Sequence, residues 1–306
     1  SRGLGDVYKR QVGYSLSNTS ELTKDEDGTV INKTASYAGD GGLQQVFAGV
    51  GFKVLDNLSI GANISYIYGD ITHSVTTAFS NSSSFSSVRL DKISINDYKL
   101  DFGLQYSYKF NKKHVLNFGA VYSLGHSVNG KGYKYNQKWL NGADYPSTQT
   151  GDTITNAFSL PHTFGAGLTY VYDNRLTIGA DFTYQQWEDA KFYNEKSYFS
   201  NRTKIAAGAE FVPNPYSRNY LKRVRYRVGG YYSDPYTKVD GQDGTREYGV
   251  SAGFGFPLFQ SKSILNISGQ YVRVSPKVKG MLEENYLKIN IGLTFNERWF
   301  MKWKVD

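Results

Sequence analysis

Hydrophobic and polar residues alternate with a period of two along most of the chain. In residues 58–68, for example, the even positions are aliphatic or aromatic and the odd positions are mostly Ser, Gly or Asn. A period of two indicates β-strands, because successive side chains of a strand point to opposite faces of the sheet. The pattern predicts twelve strands, at residues 12–18, 43–54, 58–72, 97–110, 114–129, 160–172, 175–188, 201–212, 223–233, 246–257, 263–274 and 285–296.

The length of these strands indicates that they cross a membrane. Strands of soluble sandwiches average about five or six residues, whereas most of the predicted strands contain about ten or more. At about 3.3 Å per residue and a tilt of about 40°, ten residues span about 25 Å, the height of the apolar band of an outer-membrane barrel.

The connections between the predicted strands alternate in length. Short turns lie at residues 56–57, 111–113, 173–174 and 260–262, and a longer turn that contains Pro lies at 213–222. Long polar segments lie between them, at 19–42, 73–96, 130–159, 189–200, 234–245 and 275–284. Barrels of the bacterial outer membrane have short periplasmic turns and long extracellular loops. We therefore predict an all-β, antiparallel, up-and-down transmembrane barrel with its C-terminus in the periplasm.

The charged residues of the strands occupy the same alternate positions as the polar residues, so they lie on the polar face of the sheet. Their position decides which face meets lipid. An Arg or Lys at the middle of the bilayer costs about 2–4 kcal/mol, so the charged face is expected to line the lumen. The six charged candidates for ligand binding in the lumen are Arg225, Arg227, Asp181, Glu210, Glu247 and Lys204. They are interpreted either as a site for a fatty acid carboxylate or as an internal network of ion pairs. Trp187 and Phe192 are further candidates, as an apolar groove or as interfacial anchors.

Composition narrows the chemistry. The 306 residues include no Cys and four His, and the net charge of +8 is dispersed rather than collected in one run. No stretch reaches the about 18 apolar residues of a transmembrane helix. His73 and His126 are each followed by Ser, but neighbours on a strand point to opposite faces and cannot act as base and nucleophile. The sequence predicts no catalytic residues, no metal site, no cofactor and no nucleic-acid partner.

The ends of the chain are interpreted separately from the barrel. Residues 1–11, SRGLGDVYKRQ, have neither the apolar core of a signal peptide nor a strand pattern, and they look like a translated sequencing adapter. We expect residues 1–11 to be an artefactual leader outside the fold, 12–296 to be a partial barrel and 297–306 to be a short periplasmic tail. A signal peptide is then expected upstream of this fragment.

Four segments carry a resemblance to a known family. They are GVGFKVLDNLSIGANISYIYGD (49–70), DFGLQYSYKFNKKHVLNFGAVY (101–122), LPHTFGAGLTYVYDNRLTIGADFTYQQWEDAKF (160–192) and RYRVGGYYSDPY (225–236). Together they resemble the FadL/TodX-type transporters of long-chain fatty acids. The resemblance implies a barrel of 14 strands, an N-terminal hatch in its lumen, and sideways release of the substrate through a kinked strand. About twelve of those strands would be visible here, and no gating motif of the family falls on these residues.

The function expected from this resemblance is uptake of hydrophobic small molecules, chiefly long-chain fatty acids, through the outer membrane. The alternative is a structural barrel component of a secretion or surface-attachment complex, for which the turn at 213–222 is the feature of interest. In both cases we expect a non-enzymatic protein that contacts outer-membrane lipid and lipopolysaccharide. The channel is expected to be a monomer, whereas the alternative predicts co-purifying protein subunits.

Overall fold

The computed structural model describes residues 7–24, 27–81, 84–140, 148–156, 158–193, 196, 198–239, 241–258, 263–277 and 283–294. Its strands are β1 (Val7–Lys24), β2 (Val30–Lys53), β3 (Leu58–Phe79), β4 (Phe85–Lys109), β5 (His114–Ser123), β6 (His126–Ser127), β7 (Gly130–Leu140), β8 (Thr148–Thr155), β9 (Ser159–Leu160), β10 (Thr163–Tyr172), β11 (Leu176–Gln185), β12 (Arg202–Phe211), β13 (Arg225–Ser233), β14 (Lys238–Val239), β15 (Gln242–Asp243), β16 (Thr245–Pro257), β17 (Ile264–Pro276) and β18 (Glu284–Thr294). Two 3-10 helices, Trp187–Asp189 and Tyr220–Lys222, complete the described elements. None of the helices within these residues is long and apolar enough to span a membrane.

One antiparallel sheet of 14 strands forms the barrel wall. Twelve strands follow one another in the order β1-β2-β3-β4-β5-β10-β11-β12-β13-β16-β17-β18, while β7 pairs with the outer part of β4 and β8 pairs with β7. Each of the twelve predicted strands has a counterpart in this path, which confirms the antiparallel up-and-down barrel. Within the described residues, β1 and β18 are the two edges of the wall, and no ladder joins them.

The strand register separates an apolar face from a polar face. Phe118 pairs with Leu168, which pairs with Ala180, so large and small apolar residues line up across three strands. One residue further along each strand, the aligned residues are Asn117, Thr169 and Gly179. Because neighbouring residues alternate between faces, this register places the row of Phe118 on one face of the sheet and the row of Asn117 on the other.

The first strand begins earlier than the alternation predicted. Residues Val7 to Gln11 continue β1 and pair with Val46 to Gly42 of β2, although they belong to the segment expected to be a leader. Backbone hydrogen bonds do not depend on side-chain pattern, which is why the irregular sequence of this segment did not indicate a strand. Residues 1–6 and the expected tail at 297–306 lie outside the described residues, and the proposed domain boundaries stay predictions.

Three of the long connections contain strands instead of loops. β2, β3 and β4 have 24, 22 and 25 residues, so they continue well beyond the about ten residues that cross the apolar band. The segments 19–42 and 73–96 are therefore mostly extended hairpins, and 130–159 carries the hairpin of β7 and β8. The strands within these long connections were not predicted, because Ser, Thr and charged residues in a solvated hairpin alternate with other polar residues and hide the period of two.

A pair of glycines lies close together in the β2–β3 ladder, Gly41 opposite Ile71 and Gly69 opposite Leu43. Gly41 has a φ of +115° and Gly69 a φ of +145°, a backbone region that is essentially restricted to glycine. A Cβ on Gly41 would lie 2.2 Å from the carbonyl oxygen of Asp70, and one on Gly69 would lie 2.2 Å from that of Gly42. The two strands therefore approach each other too closely for any side chain.

Replacing Gly69 with Ala is expected to destabilise the barrel by at least about 1 kcal/mol, because the new Cβ meets the backbone of β2 in a strained conformation. Gly103→Ala is the matched control, since nothing lies within 4 Å of a Cβ at that position. The measurement is the free energy of unfolding of both variants in phospholipid vesicles. Equal stability of the two variants would show that the barrel does not require glycine at position 69.

Candidate functional site

An apolar cluster lies at the extracellular mouth of the barrel. Ile93 and Ile95 of β4, Val128 after β6, and Tyr193 after β11 are all buried, and they form what we call the mouth cluster. Side chains from β2 and β3, from the β8–β10 segment and from the segment after β11 pack against it: Leu43, Ile67, Ile154, Phe158, Leu160 and Phe192. Residues far apart in sequence are thus gathered into one cluster, beside the part of β4 that pairs with β7.

Aromatic rings extend this cluster along the extracellular end. The ring of Trp187 lies 5.3 Å from that of Phe199 and 5.2 Å from that of Tyr236, measured between centroids. Phe192 packs edge-on against Tyr193 at 4.9 Å. The structure therefore places Trp187 and Phe192, both predicted as site residues, in a continuous apolar layer above the barrel.

Tyr193 presents a buried hydroxyl within this layer. Burial, and less strongly the carboxylate of Asp91, raise the pKa of Tyr193 to about 12. The phenol is therefore neutral at physiological pH. The ammonium group of Lys134 lies over its ring, 4.6 Å from the centroid. The layer is apolar in its interior and carries charge at its edge.

The wall is interrupted directly beside the mouth cluster. The ladder between β4 and β5 ends at the residue pair Asp101–Ser123. The ladder between β4 and β7 begins at the residue pair Ile95–Gly130. Between these two residue pairs, residues 125–128 leave the wall, and His126 and Ser127 pair instead with β9. Residues 97–99 pair with β3 on one side, and on the other side they face residues 125–128 without a ladder. We call this gap the wall break.

The side chain of His126 occupies the wall break. Its ring stacks on the ring of Tyr98 with centroids 4.7 Å apart, and its Nε2 lies 3.4 Å from Oδ2 of Asp97. Asp97 in turn accepts a hydrogen bond of 2.6 Å from the backbone N–H of Asn129. Side chains rather than a backbone ladder fill the break, so separating residues 97–99 from residues 125–128 breaks no ladder between strands.

Gly125 allows the chain to leave the wall at this point. A Cβ on Gly125 would lie 2.3 Å from the backbone nitrogen of His162 and 2.6 Å from the carbonyl carbon of Pro161. The segment before β10 therefore passes directly over Gly125, which holds the β6–β9 ladder across the break.

A depression of about 620 Å³ lies on the outer face below the wall break. Ala62 and Ala120 leave space between larger neighbours, which include Phe102, Tyr122 and Phe164. Phe102 lies three residues from Lys99 and Tyr122 three from Gly125, a distance of about 10 Å along the strands. An apolar surface on the bilayer side thus continues almost to the break.

A second cavity, of about 800 Å³, lies on the lumen side and is lined by both polar and apolar side chains. Two pairs of opposed glycines line it, Gly61 with Gly103 and Gly119 with Gly167. Asp181 lines this cavity and lies over Gly167, where a Cβ would come within 2.3 Å of its Oδ1. Asp181 is paired with Gly167, two residues from the pair Thr169–Gly179, so the register of β10 with β11 places it on the same face as Thr169, as predicted.

Three of the predicted lumen charges form one ion-pair network near the periplasmic end. Glu210 accepts a hydrogen bond of 2.9 Å from Nη1 of Arg225 and one of 2.7 Å from Nε of Arg227. Nη1 of Arg227 also donates to Oδ1 of Asn266 at 2.7 Å. Both carboxylate oxygens of Glu210 are therefore engaged by arginine, as the ion-pair interpretation of these residues proposes.

The remaining predicted charges lie at a different height of the lumen. The ammonium group of Lys204 lies 5.0 Å from the ring centroid of Tyr231, whose hydroxyl donates to Glu247. Tyr231 is four residues from Arg227 on β13, about 13 Å along the strand. The eight predicted residues thus fall into an extracellular aromatic layer, two polar groups of the lumen wall and Asp181, and the assignment of ligand binding to them stays a prediction.

Sequence reasoning missed the mouth cluster and the wall break. Ile93 and Ile95 alternate with Ser94 and Asn96, so a short period-two signal was present inside a segment interpreted as a loop. His126 was considered only as a catalytic residue. A change of strand partner leaves no periodic signal, because residues 97–99 continue the alternation of β4 without interruption.

These features define the class of the protein as an outer-membrane type β-barrel. A family model described as BamG matches residues 2–306, and the chain belongs to the BamG family. A search of curated proteins gives no match.

Solved structures share the fold at low sequence identity. The chain is similar to the CymD monoaromatic hydrocarbon channel, with a TM-score of 0.54 and 12% identity over 89% of this chain and 83% of that one. It is similar to the Ralstonia pickettii toluene transporter TbuX, with a TM-score of 0.54 and 11% identity over 90% and 87%. It is also similar to a Pseudomonas aeruginosa FadL homologue, with a TM-score of 0.51 and 15% identity over 91% and 75%. The resemblance to FadL/TodX-type barrels is thereby confirmed for the fold.

Proposed function

We propose that this protein is an outer-membrane channel for uptake of hydrophobic small molecules, with long-chain fatty acids as the main substrates. The observation that carries the proposal is the position of the wall break, which lies between the mouth cluster on one side and the outer apolar depression on the other. An apolar molecule captured at the mouth would reach the bilayer through the break without crossing the polar lumen. The similarity of the fold to a monoaromatic hydrocarbon channel and to a toluene transporter supports a hydrophobic substrate.

Hydrophobicity argues for the sideways route over the lumen. The lumen wall is lined by glycines, amides and charged groups, which an apolar molecule would have to pass at a cost in lost water contacts. The route through the wall break is shorter and apolar at both ends. In this proposal the charged groups of the lumen, such as the Glu210–Arg225–Arg227 network, stabilise the wall and do not contact the substrate.

Substitutions of His126 test the route. His126→Ala is expected to widen the break and raise the initial rate of oleate uptake, and His126→Trp is expected to fill it and lower the rate severalfold. His114 is the matched control, because its ring also packs on tyrosines, with Nδ1 at 2.6 Å from the hydroxyl of Tyr170, but in the paired part of the wall. Uptake is measured in cells that lack their own fatty acid channel and express the full-length protein. Folded His126 variants with unchanged rates would contradict the route.

The alternative, a structural barrel component of a larger outer-membrane complex, is favoured by one observation. The connection between β12 and β13 is a structured protrusion on the periplasmic side, where the other turns are short. Such an element has no role in the route through the wall break.

A further inference from the structure

The periplasmic connection between β12 and β13, residues 212–224, differs from the other turns on that side. The turns at 54–57, 110–113 and 173–175 contain three or four residues each, whereas this one contains thirteen and includes a 3-10 helix, Tyr220–Lys222. We call it the periplasmic knuckle. It lies away from the mouth cluster and the wall break, so any role it has is separate from the proposed uptake.

Buried valines fix both ends of the periplasmic knuckle. Val212 and Val224 are 5% and 1% exposed, and the N–H of Val212 donates to the carbonyl oxygen of Arg175 in the neighbouring turn at 2.7 Å. The N–H of Asn214 donates to the carbonyl oxygen of Lys222 at 2.8 Å, which closes the base. The segment therefore leaves and re-enters the wall in one defined geometry.

Polar side chains hold the tip in a single conformation. The side chain of Asn214 accepts from the N–H of Tyr216 at 3.0 Å, and that of Ser217 accepts from the N–H of Asn219 at 3.1 Å. Asn219 caps the 3-10 helix by accepting from the N–H of Leu221 at 3.0 Å. A loop with its backbone groups satisfied in this way loses little conformational entropy when it binds a partner.

The side chains presented by this rigid tip are those of an interaction surface. Tyr216 is 91% exposed and Leu221 is 64% exposed, although both are large and apolar enough to gain from burial. Arg218 and Lys222 are exposed beside them, and the thirteen residues include Arg223 but no Asp or Glu. Tyr and Arg are the residue types that most often dominate the energetics of protein interfaces.

We propose that the periplasmic knuckle is the docking site for a periplasmic protein domain whose surface has an apolar pocket with an acidic rim. Tyr216 enters the pocket, and Arg218 and Lys222 pair with the carboxylates around it. Opposite charge on the partner follows from the three cations of the knuckle and the absence of any acid within it. Tyr216 lies five residues beyond Phe211, the last residue of β12, whereas residues that anchor a barrel in lipid lie at the strand ends.

Site-specific photo-cross-linking from the full-length protein in its native outer membrane tests the contact. A benzophenone amino acid in place of Tyr216 is expected to give one protein adduct, and the same group in place of Asn111, in another periplasmic turn, is expected to give none. Mass spectrometry of the adduct is expected to place the cross-link beside Asp or Glu residues. An adduct with phospholipid, an adduct with a second copy of this chain, or no adduct would overturn the proposal.

Charge reversal supplies the matched control. Arg218→Glu with Lys222→Glu is expected to lower the yield of the adduct and of the co-purifying protein about tenfold or more, since each lost contact to a carboxylate is charge-assisted. Lys112→Glu with Lys113→Glu makes the same change of charge in the turn before β5 and is expected to leave both yields unchanged. Equal yields from the two charge variants, or equal losses, would overturn the proposal.

Folding is checked by the shift in gel mobility that a barrel shows on heating. If the charge variant does not fold, Tyr216→Ser with Leu221→Ser removes the apolar contacts and leaves the charges in place. That variant is also expected to lose the adjacent protein, detected with the cross-linker moved to Arg218. Retention of the partner by a folded Tyr216→Ser, Leu221→Ser variant would contradict the proposed pocket. Oleate uptake is measured on the same variants, so loss of docking is distinguished from loss of transport.

Discussion

Replacing Leu168 with Arg is expected to destabilise the barrel by about 2–4 kcal/mol, the cost of a cation at the middle of the lipid-facing wall. Leu168 is 47% exposed in the isolated chain and lies at the centre of β10, between Phe118 and Ala180. Lipid covers this surface in the membrane, so the guanidinium would have no polar partner within reach. The prediction therefore tests directly which face of the sheet meets the bilayer.

The next residue on the same strand is the control. Thr169→Arg places the same side chain inside, beside Asn117 and Gly179 and in the cavity that Asp181 also lines. We expect a loss of less than about 1 kcal/mol there, because the cation stays in a polar, hydrated space. The free energy of unfolding is measured for both variants in phospholipid vesicles at the same ionic strength. A larger loss for Thr169→Arg than for Leu168→Arg would reverse the assignment of the two faces.

The transmembrane wall could be predicted from the sequence because its physics is local. A strand that separates lipid from a hydrated lumen must alternate at every residue, and the runs around Leu100, Leu176 and Leu287 do so without interruption. The observed strands β4, β11 and β18 contain these runs. Turn length then fixed the antiparallel order, since strands joined by three or four residues are neighbours in the sheet.

The extracellular part could not be predicted in the same way. Both faces of the outer hairpins contact water, so Thr76 and Thr77 on β3 carry no signal of direction. The partners of residues 124–129 depend on the fold of the β7–β8 hairpin, which is fixed by pairing with β4 and not by their own sequence. Long-range pairing of this kind is set by the whole sheet, and the candidate site at the wall break depends on it.

The lumen charges were predicted as a group, but their pairing was not. The alternation places Glu210, Arg225 and Arg227 on one face, and the register of β12 with β13 then brings Glu210 directly opposite Arg227. A shift of two residues would keep the same faces and give different partners. The ion-pair network is thus a consequence of register, which is fixed by the periplasmic knuckle that joins these two strands.

Replacing Glu210 with Gln is expected to cost about 2–3 kcal/mol of stability, because Arg225 and Arg227, neighbours on one face of β13, lose the carboxylate that they share. The value is below that for a fully buried pair, since the side chain of Glu210 is 25% exposed and those of Arg225 and Arg227 are 40% and 38% exposed. Asp181→Asn is the control, a lumen carboxylate for which the described residues include no ion pair. Unfolding in phospholipid vesicles is measured at low and high salt, and added salt is expected to reduce the loss.

The same variant separates the two interpretations of the lumen charges. If the network only braces the wall, Glu210→Gln lowers stability and leaves the amount of co-purifying fatty acid unchanged. If the arginines bind a fatty acid carboxylate, removal of their competitor Glu210 increases the amount bound, and Arg225→Met with Arg227→Met abolishes it. We expect the first outcome, because Glu210 already engages both arginines and the apolar route through the wall break does not pass them. An increase in bound fatty acid, measured by extraction and mass spectrometry from the folded full-length variant, would contradict that route.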